Sequence, residues 1–291
     1  MSARRASWPG RAQQRLAKSL REAAEGFPRS GEEGERAVHD ARKELKRSAS
    51  LSRLFAPLVG QAAAADTLAA VNRARRAIGL ARDLDVLPGA LARVRCDKGA
   101  LEILLAAIER ERGQARGAHA DIDVEGLTAG LKTAAASVER WTPGDDATAE
   151  LTASLTQTYR SARRRGRVAF ATGESDDLHD FRGRVVDLGL QLAVFEPAWP
   201  TLVVAQTAEL HKLRVSLGDH NDLSVLAEFV SACSELPPES ARSVAAAVLA
   251  RRKPLERKSR AQYGRLFAER PGAFERRIAA YLAHPQKGPK G

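Results

Sequence analysis

Cysteine is nearly missing from this chain: Cys96 and Cys233 are the only two in 291 residues. A disulfide framework needs more of them in a shorter chain, so the pair reads as free thiols in a reducing compartment. Aromatic residues make up 5% of the sequence, which leaves few rings for exposed bases to stack on and argues against single-stranded nucleic acid as the main ligand. No apolar run approaches the roughly 20 residues needed to cross a bilayer. The N-terminus, with Arg4, Arg5 and Pro9 ahead of any apolar stretch, lacks the hydrophobic core of a signal peptide. A soluble, cytoplasmic protein without membrane insertion is expected. The sequence also lacks a P-loop, an H-E-x-x-H or G-x-S-x-G element and any spaced Cys/His zinc pattern, so no activated nucleophile stands out.

What the chain has in excess is positive charge. Lys and Arg outnumber Asp and Glu by 47 to 36, a formal net charge of +11, which points to a polyanionic partner or an anionic surface. It also has a repeat. His39-Asp40-Ala41-Arg42 returns as His179-Asp180-Phe181-Arg182 about half a chain length later. Each is followed by a second element, Arg75-x-x-x-Gly79-x-x-Arg82-Asp83-Leu84 and Arg214-x-x-x-Gly218-x-x-Asn221-Asp222-Leu223. The register holds to within one residue, so the chain reads as a tandem duplication whose site is built twice, or once between the halves.

The periodicity is helical nearly throughout, because Ala, Leu, Arg and Glu dominate and Pro or Gly punctuates at helix-length intervals. It predicts helices at about 10–25, 32–56, 61–88, 98–120 and 124–140, then 147–171, 175–196, 200–231, 239–263 and 271–283. The turn chemistry of Thr142-Pro143-Gly144-Asp145-Asp146 marks a linker between a first repeat, 1–141, and a second, 147–284, with an acidic N-cap for the next helix. Ser30-x-x-Glu33 reads as a capping box for the first His-Asp helix, and Glu174, Asp176 and Asp177 put negative charge at the start of the second. Short connections favour antiparallel neighbours, so each half is expected to be an up-down bundle of about four helices. Residues 285–291 read as a disordered tail.

On a helix, His39, Arg42, Lys43 and Lys46 form one stripe about 10 Å long, with Arg53 near the same line. Like charges at this spacing repel unless something anionic lies across them. A solvated charged face is the ordinary explanation of a single cluster, but here His179 and Arg182 repeat it. The second copy is weaker, since Gly183, Val186 and Asp187 stand where the first has Lys43, Lys46 and Arg47, and Arg184 points elsewhere. A further line on each third helix joins Arg75, Gly79 and Arg82, and His211, Arg214, Gly218 and Asn221. A glycine inside a helix costs about 1 kcal/mol against alanine, so its recurrence suggests close approach of a helix or a ligand. Asp40, Asp83, Asp180 and Asp222 are expected to hold neighbouring cations in place. Arg160, Arg163, Arg164 and Arg167, also at helical spacing, would extend the positive surface. His119 and His284 stand outside any repeat.

A His-Asp dyad also invites comparison with metal-dependent phosphohydrolases. Such a site needs a further His and carboxylate and no fixed cations nearby, because positive charge opposes a divalent ion. Arg42, Lys43 and Lys46 crowd the first dyad, which suits an anion better; no metal or cofactor is expected.

These elements resemble those of the CHAD domain, the conserved histidine α-helical domain. Val38-His39-Asp40-Ala41-Arg42-Lys43-Glu44-Leu45-Lys46 and Ile78-Gly79-Leu80-Ala81-Arg82-Asp83-Leu84-Asp85-Val86 are similar to the family's first-repeat lines. Leu178-His179-Asp180-Phe181-Arg182 and Leu210-His211-Lys212-Leu213-Arg214 through Asn221-Asp222 are similar to its second. The resemblance spans nearly the whole chain. It implies an all-α protein of two antiparallel four-helix bundles related by pseudo-twofold symmetry. It also implies a non-catalytic basic surface that binds inorganic polyphosphate and associates with polyphosphate granules, where granule proteins are further partners. The residues it marks for binding are His39, Arg42, Lys43, Lys46, Arg75, Arg82, His179, Arg182, His211 and Arg214, with more charge expected from the first half. Non-specific binding of nucleic-acid backbone is the alternative, and a metal-dependent phosphohydrolase a third reading.

Overall fold

The computed structural model describes residues 7–26, 31–78, 82–117, 123–144 and 146–285. Among these it is all-helical, with eleven α-helices and one 3-10 segment. The first half contributes α1 (Trp8–Glu25), α2 (Gly31–Val59), α3 (Gln61–Ala77), α4 (Arg82–Leu91), α5 (Lys98–Gly117) and α6 (Val124–Glu139). The second contributes α7 (Ala147–Thr172), α8 (Ser175–Leu192), the 3-10 segment (Ala193–Ala198), α9 (Pro200–Ala232), α10 (Pro238–Leu266) and α11 (Pro271–Ala283).

Local chemistry sets several helix ends. Ser7 Oγ accepts from the Gly10 N–H at 3.3 Å to open α1, and Asp123 accepts from Gly126 at 2.8 Å to open α6. Gly173, with φ of 72°, closes α7 in the left-handed region that favours glycine. Asp176 and Asp177 fall in the first turn of α8, where they face the positive end of its dipole. Asp146 takes the N-cap position of α7, but its side chain makes no capping bond, so the acidic cap expected there is corrected to a position without the bond. The expected capping box lies outside the described residues, as do Gly79, His119, the side chains of Arg82 and Asp83, and residues 286–291.

One expected helix is two. The predicted run 61–88 is divided into α3 and α4, with Ile78 as the C-cap of α3. The reason is partly competition for an acceptor: the Ile78 carbonyl, which a continuing helix would bond to the N–H of residue 82, accepts from the Arg42 guanidinium on α2. Arg75 and Arg82 therefore stand on different helices. The expected helix 175–196 likewise stops at Leu192 and tightens into the 3-10 segment, which contains Pro197. No helix among the described residues is long and apolar enough to cross a membrane.

The apolar core crosses the boundary at 142–146. One continuous cluster runs from Leu16, Leu20, Leu45 and Phe55 on α1 and α2 to Leu155, Phe181 and Phe274 on α7, α8 and α11. Within it α1, α2, α3 and α6 pack side by side. Helices α4 and α5 instead turn to the other half: Leu87, Leu91, Leu104 and Ile108 pack with Leu223, Leu226, Val244 and Val248 of α9 and α10 in a second cluster. Where α7, α8 and α10 meet, a Cβ on Gly166 would lie 2.4 Å from a Tyr263 ring carbon and 2.9 Å from Phe181, so only glycine lets these helices approach so closely. Tyr159 is fully buried nearby, its phenol donating to the Glu269 carbonyl at 3.0 Å, and burial raises its pKa to about 12.

Candidate polyanion-binding groove

Helices α2 and α8, which carry the two His-Asp elements, pack against each other across the boundary. Their contact is polar and specific. Ser50 Oγ donates to the Asp187 carbonyl at 3.2 Å, Gln191 Nε2 donates to the Ser50 carbonyl at 2.9 Å, and Arg53 pairs with the buried Asp187 carboxylate at 2.5 Å. Arg184 pairs with the other oxygen of Asp187 at 3.1 Å. This seam fixes the two helices in register and leaves a groove between the halves.

The groove consists of three adjoining cavities. The largest, of about 1220 Å³, lies between α2 and α3 and takes His39, Arg42, Lys43, Lys46 and Arg75 as part of its wall. Arg182 and Arg214 close it from the second half. A second, of about 270 Å³, follows α8 past His179, Arg182 and Arg184, with Arg53 and Arg75 opposite. The third, of about 580 Å³, opens between α8 and α9 near His211. Lys46 and Arg214 line all three. The site is thus formed once, between the halves.

Each cation is held differently. Arg42 Nε donates to the Ile78 carbonyl at 2.9 Å, and its guanidinium lies 3.6 Å from Asp85, so it ties α2 to the end of α3 as well as facing the groove. Lys43 donates to Asp40 at 2.8 Å, and this bond, with the lysine's charge, holds the Asp40 carboxyl below its usual pKa. Arg182 lies along α9 over Gly218, where a Cβ would sit 3.5 Å from the guanidinium. That is ordinary contact, so the close approach expected of this glycine is to a neighbouring side chain, and an alanine would fit.

The second-half histidines are positioned by α9. His179 Nδ1 is 2.9 Å from Asn221 Oδ1; an amide oxygen only accepts, so the ring donates to it from Nδ1. Arg214 donates to His211 Nδ1 at 3.2 Å. Asp222, as its sequence context suggested, holds a cation of a neighbouring segment: Arg93, after α4, reaches Asp219 and, at 3.3 Å, Asp222. Asp180 does the same for Arg165 of α7 at 2.7 Å. These contacts are partly exposed and screened, so they orient more than they stabilise.

Not every expected residue reaches the groove. Arg160, Arg163, Arg164 and Arg167 on α7 line none of the three cavities, and Arg163 Nε instead donates to the Phe267 carbonyl at the end of α10 at 2.9 Å. Sequence reasoning missed Arg47 and Arg76, which line the cavities beside Lys46 and Arg75. It also placed Arg184 elsewhere and read Asp187 as lost charge. Arg184 lines the smallest cavity, and Asp187 is the acceptor on which Arg53 and Arg184 converge. Among the described residues no three His, Cys, Asp or Glu side chains gather as metal ligands would.

The groove gathers guanidinium and ammonium groups from α2, α3, α8 and α9, the arrangement that charge-assisted bonds to phosphate oxygens require. A search of curated proteins finds no match to the chain. Among solved structures, the crystal structure of the CHAD domain from the plant Ricinus communis is similar at 20% identity, covering 97% of this chain and 94% of that one with a TM-score of 0.58. The likeness shows a shared helical fold. The CHAD domain family model matches residues 10–231, most of the described groove, and the chain belongs to that family.

Proposed function

We propose that the groove binds inorganic polyphosphate without turning it over, and that binding brings the protein to polyphosphate granules. The observation that carries this reading is the convergence of cations from both halves on one groove, with Lys46 and Arg214 lining all three cavities. Membership of a family associated with polyphosphate supports it. A long polymer contacts many such groups at once, and each bound phosphate raises the effective concentration of the next. Nucleic-acid backbone satisfies the same cations and is the second reading; with 5% aromatic residues such binding would be non-specific and backbone-driven.

The test is competition binding of long-chain polyphosphate against a DNA duplex over a salt series, with wild type and the Lys46→Ala/Arg214→Ala pair. Arg42 is the poorer choice, since its removal also releases the Ile78 carbonyl. Each substitution is expected to weaken polyphosphate binding about tenfold or more, as charged hydrogen bonds are worth about 1.5–3 kcal/mol, and to lower the salt slope by about one. Equal affinity for DNA overturns the polyphosphate reading in favour of a general polyanion surface. Release of orthophosphate that stops on chelation overturns the non-catalytic one.

A further inference from the structure

The third cavity differs in chemistry from the rest of the groove. Its floor between α8 and α9 is aliphatic, made by Val185, Val186, Leu190, Val204, Ala208 and Leu210. Val204 is 47% exposed where this floor meets the charged groove. The one hydroxyl on the wall, Thr207, donates to the Val203 and Val204 carbonyls of its own helix. The charged and ring-nitrogen groups of the lining are all basic, Lys43, Lys46, Arg47, His211 and Arg214, with no carboxylate and no Phe, Tyr or Trp ring among them. At about 580 Å³ the space falls in the range of small-molecule pockets, about 300–1,000 Å³.

A bare phosphate polymer leaves that floor uncovered. A nucleobase would find one ring, the His211 imidazole against which Arg214 already lies, and a wall hydroxyl already engaged by its own helix. The complement of an aliphatic floor beside Lys43, Lys46, Arg47 and Arg214 is an anion carrying an aliphatic chain. We propose that this pocket takes the alkyl chain of a phosphate monoester, free in solution, with its phosphate held by Lys46 and Arg214 where the three cavities meet. This rests on reading the groove as a phosphate site but not on the ligand being a polymer. Because both ligands use Lys46 and Arg214, alkyl phosphate and polyphosphate compete.

The geometry also supplies a way to close the pocket without touching its cations. Gly189 lies on the wall, and a Cβ there would sit 3.9 Å from the Leu210 Cβ with no closer neighbour. Gly189→Leu therefore fills the space from α8, and Ala208→Leu fills it from α9. Neither removes a groove cation.

The experiment is calorimetric titration with butyl phosphate, octyl phosphate below its micelle concentration, and long-chain polyphosphate. Each methylene that enters an apolar pocket strengthens binding roughly fourfold, so octyl phosphate is expected to bind at least tenfold tighter than butyl phosphate. Both filling variants should erase that difference and keep polyphosphate affinity within twofold. Equal binding of the two alkyl phosphates overturns the proposal, as does wild-type discrimination between them in both variants. Sedimentation with phosphatidic acid vesicles combined with no octyl phosphate binding overturns it in favour of attraction to a charged surface. Octyl phosphate binding without polyphosphate binding supports the pocket and overturns only the polymer reading.

Discussion

Among the described residues His220 is the buried histidine, and it belongs to neither repeated line. It sits 4% exposed on α9, and Arg252 of α10 donates to its Nε2 at 3.3 Å. Arg252 also reaches Ser175 Oγ at 3.1 Å, and Ser175 in turn meets Ser224, whose hydroxyl donates to the His220 carbonyl. Burial, aided by the Arg252 charge and opposed weakly by Glu256, lowers the His220 pKa to about 4. The ring is therefore neutral in the fold, while in the unfolded chain it takes a proton near its ordinary value of about 6.5. Between these values the unfolded state binds more protons, so stability is full above about pH 6.5 and falls as pH drops toward 4. By pH 5 the loss from this one group is on the order of 2 kcal/mol. Urea unfolding of wild type and His220→Gln at pH 7.5 and pH 5.0 checks it: the wild type should lose about that much more than the variant. Identical losses would show that the ring is not held neutral.

At the scale of helices the α2–α8 seam decides whether the groove exists. Asp187 is 5% exposed and receives Arg53 from one half and Arg184 from its own helix. Asp187→Asn removes the charge that both arginines lean on and leaves two cations in the wall of the smallest cavity. Two effects of opposite sign follow. Stability should fall by about 2 kcal/mol, less than for a fully buried pair because Arg53 is partly exposed. Affinity for polyphosphate at low salt should rise, by about twofold, because the groove gains a net positive charge. Chemical denaturation and binding on the same sample read both; a joint loss of stability and affinity would mean that Asp187 shapes the groove rather than tuning its charge. This residue also shows where the sequence stopped being legible. Helix positions and the cationic stripe on α2 follow from spacing along one element, and the sequence carries them well. That Asp187 is an acceptor rather than a gap in a stripe depends on Arg53, far away in the chain and adjacent only after folding. The α3–α4 break was hidden for the same reason, since the competing donor to Ile78 is Arg42 of another helix.

At the scale of the whole molecule the apolar contacts decide how far each half of the chain depends on the other. Two self-contained bundles would each keep their own core, and the turn at Pro143 and Gly144 would be a linker between them. The apolar contacts describe a different division of labour. Helices α4 and α5 place Leu87, Leu91, Leu104 and Ile108 against Leu223, Leu226, Val244 and Val248 of the other half, and the larger cluster is continuous from α1 to α11. A fragment ending at residue 144 would expose the inner faces of α4 and α5, and one starting at 145 would expose the matching faces of α9 and α10. Burying a Leu, Ile or Val side chain is worth roughly 1.5–3 kcal/mol, and a domain's net stability is only about 5–15 kcal/mol. Losing four such partners in each fragment is of the order of that margin, so neither fragment is expected to unfold cooperatively alone. Mixed in equal amounts they should assemble, because both clusters and the α2–α8 seam re-form together, and polyphosphate binding should return only with assembly, since Lys46 and Arg214 lie on opposite fragments. Thermal melts and binding of each fragment and of the mixture provide the measurement. A cooperative melt from either half alone would mean that the repeats are independent folding units and that the shared core is a later docking of two finished bundles.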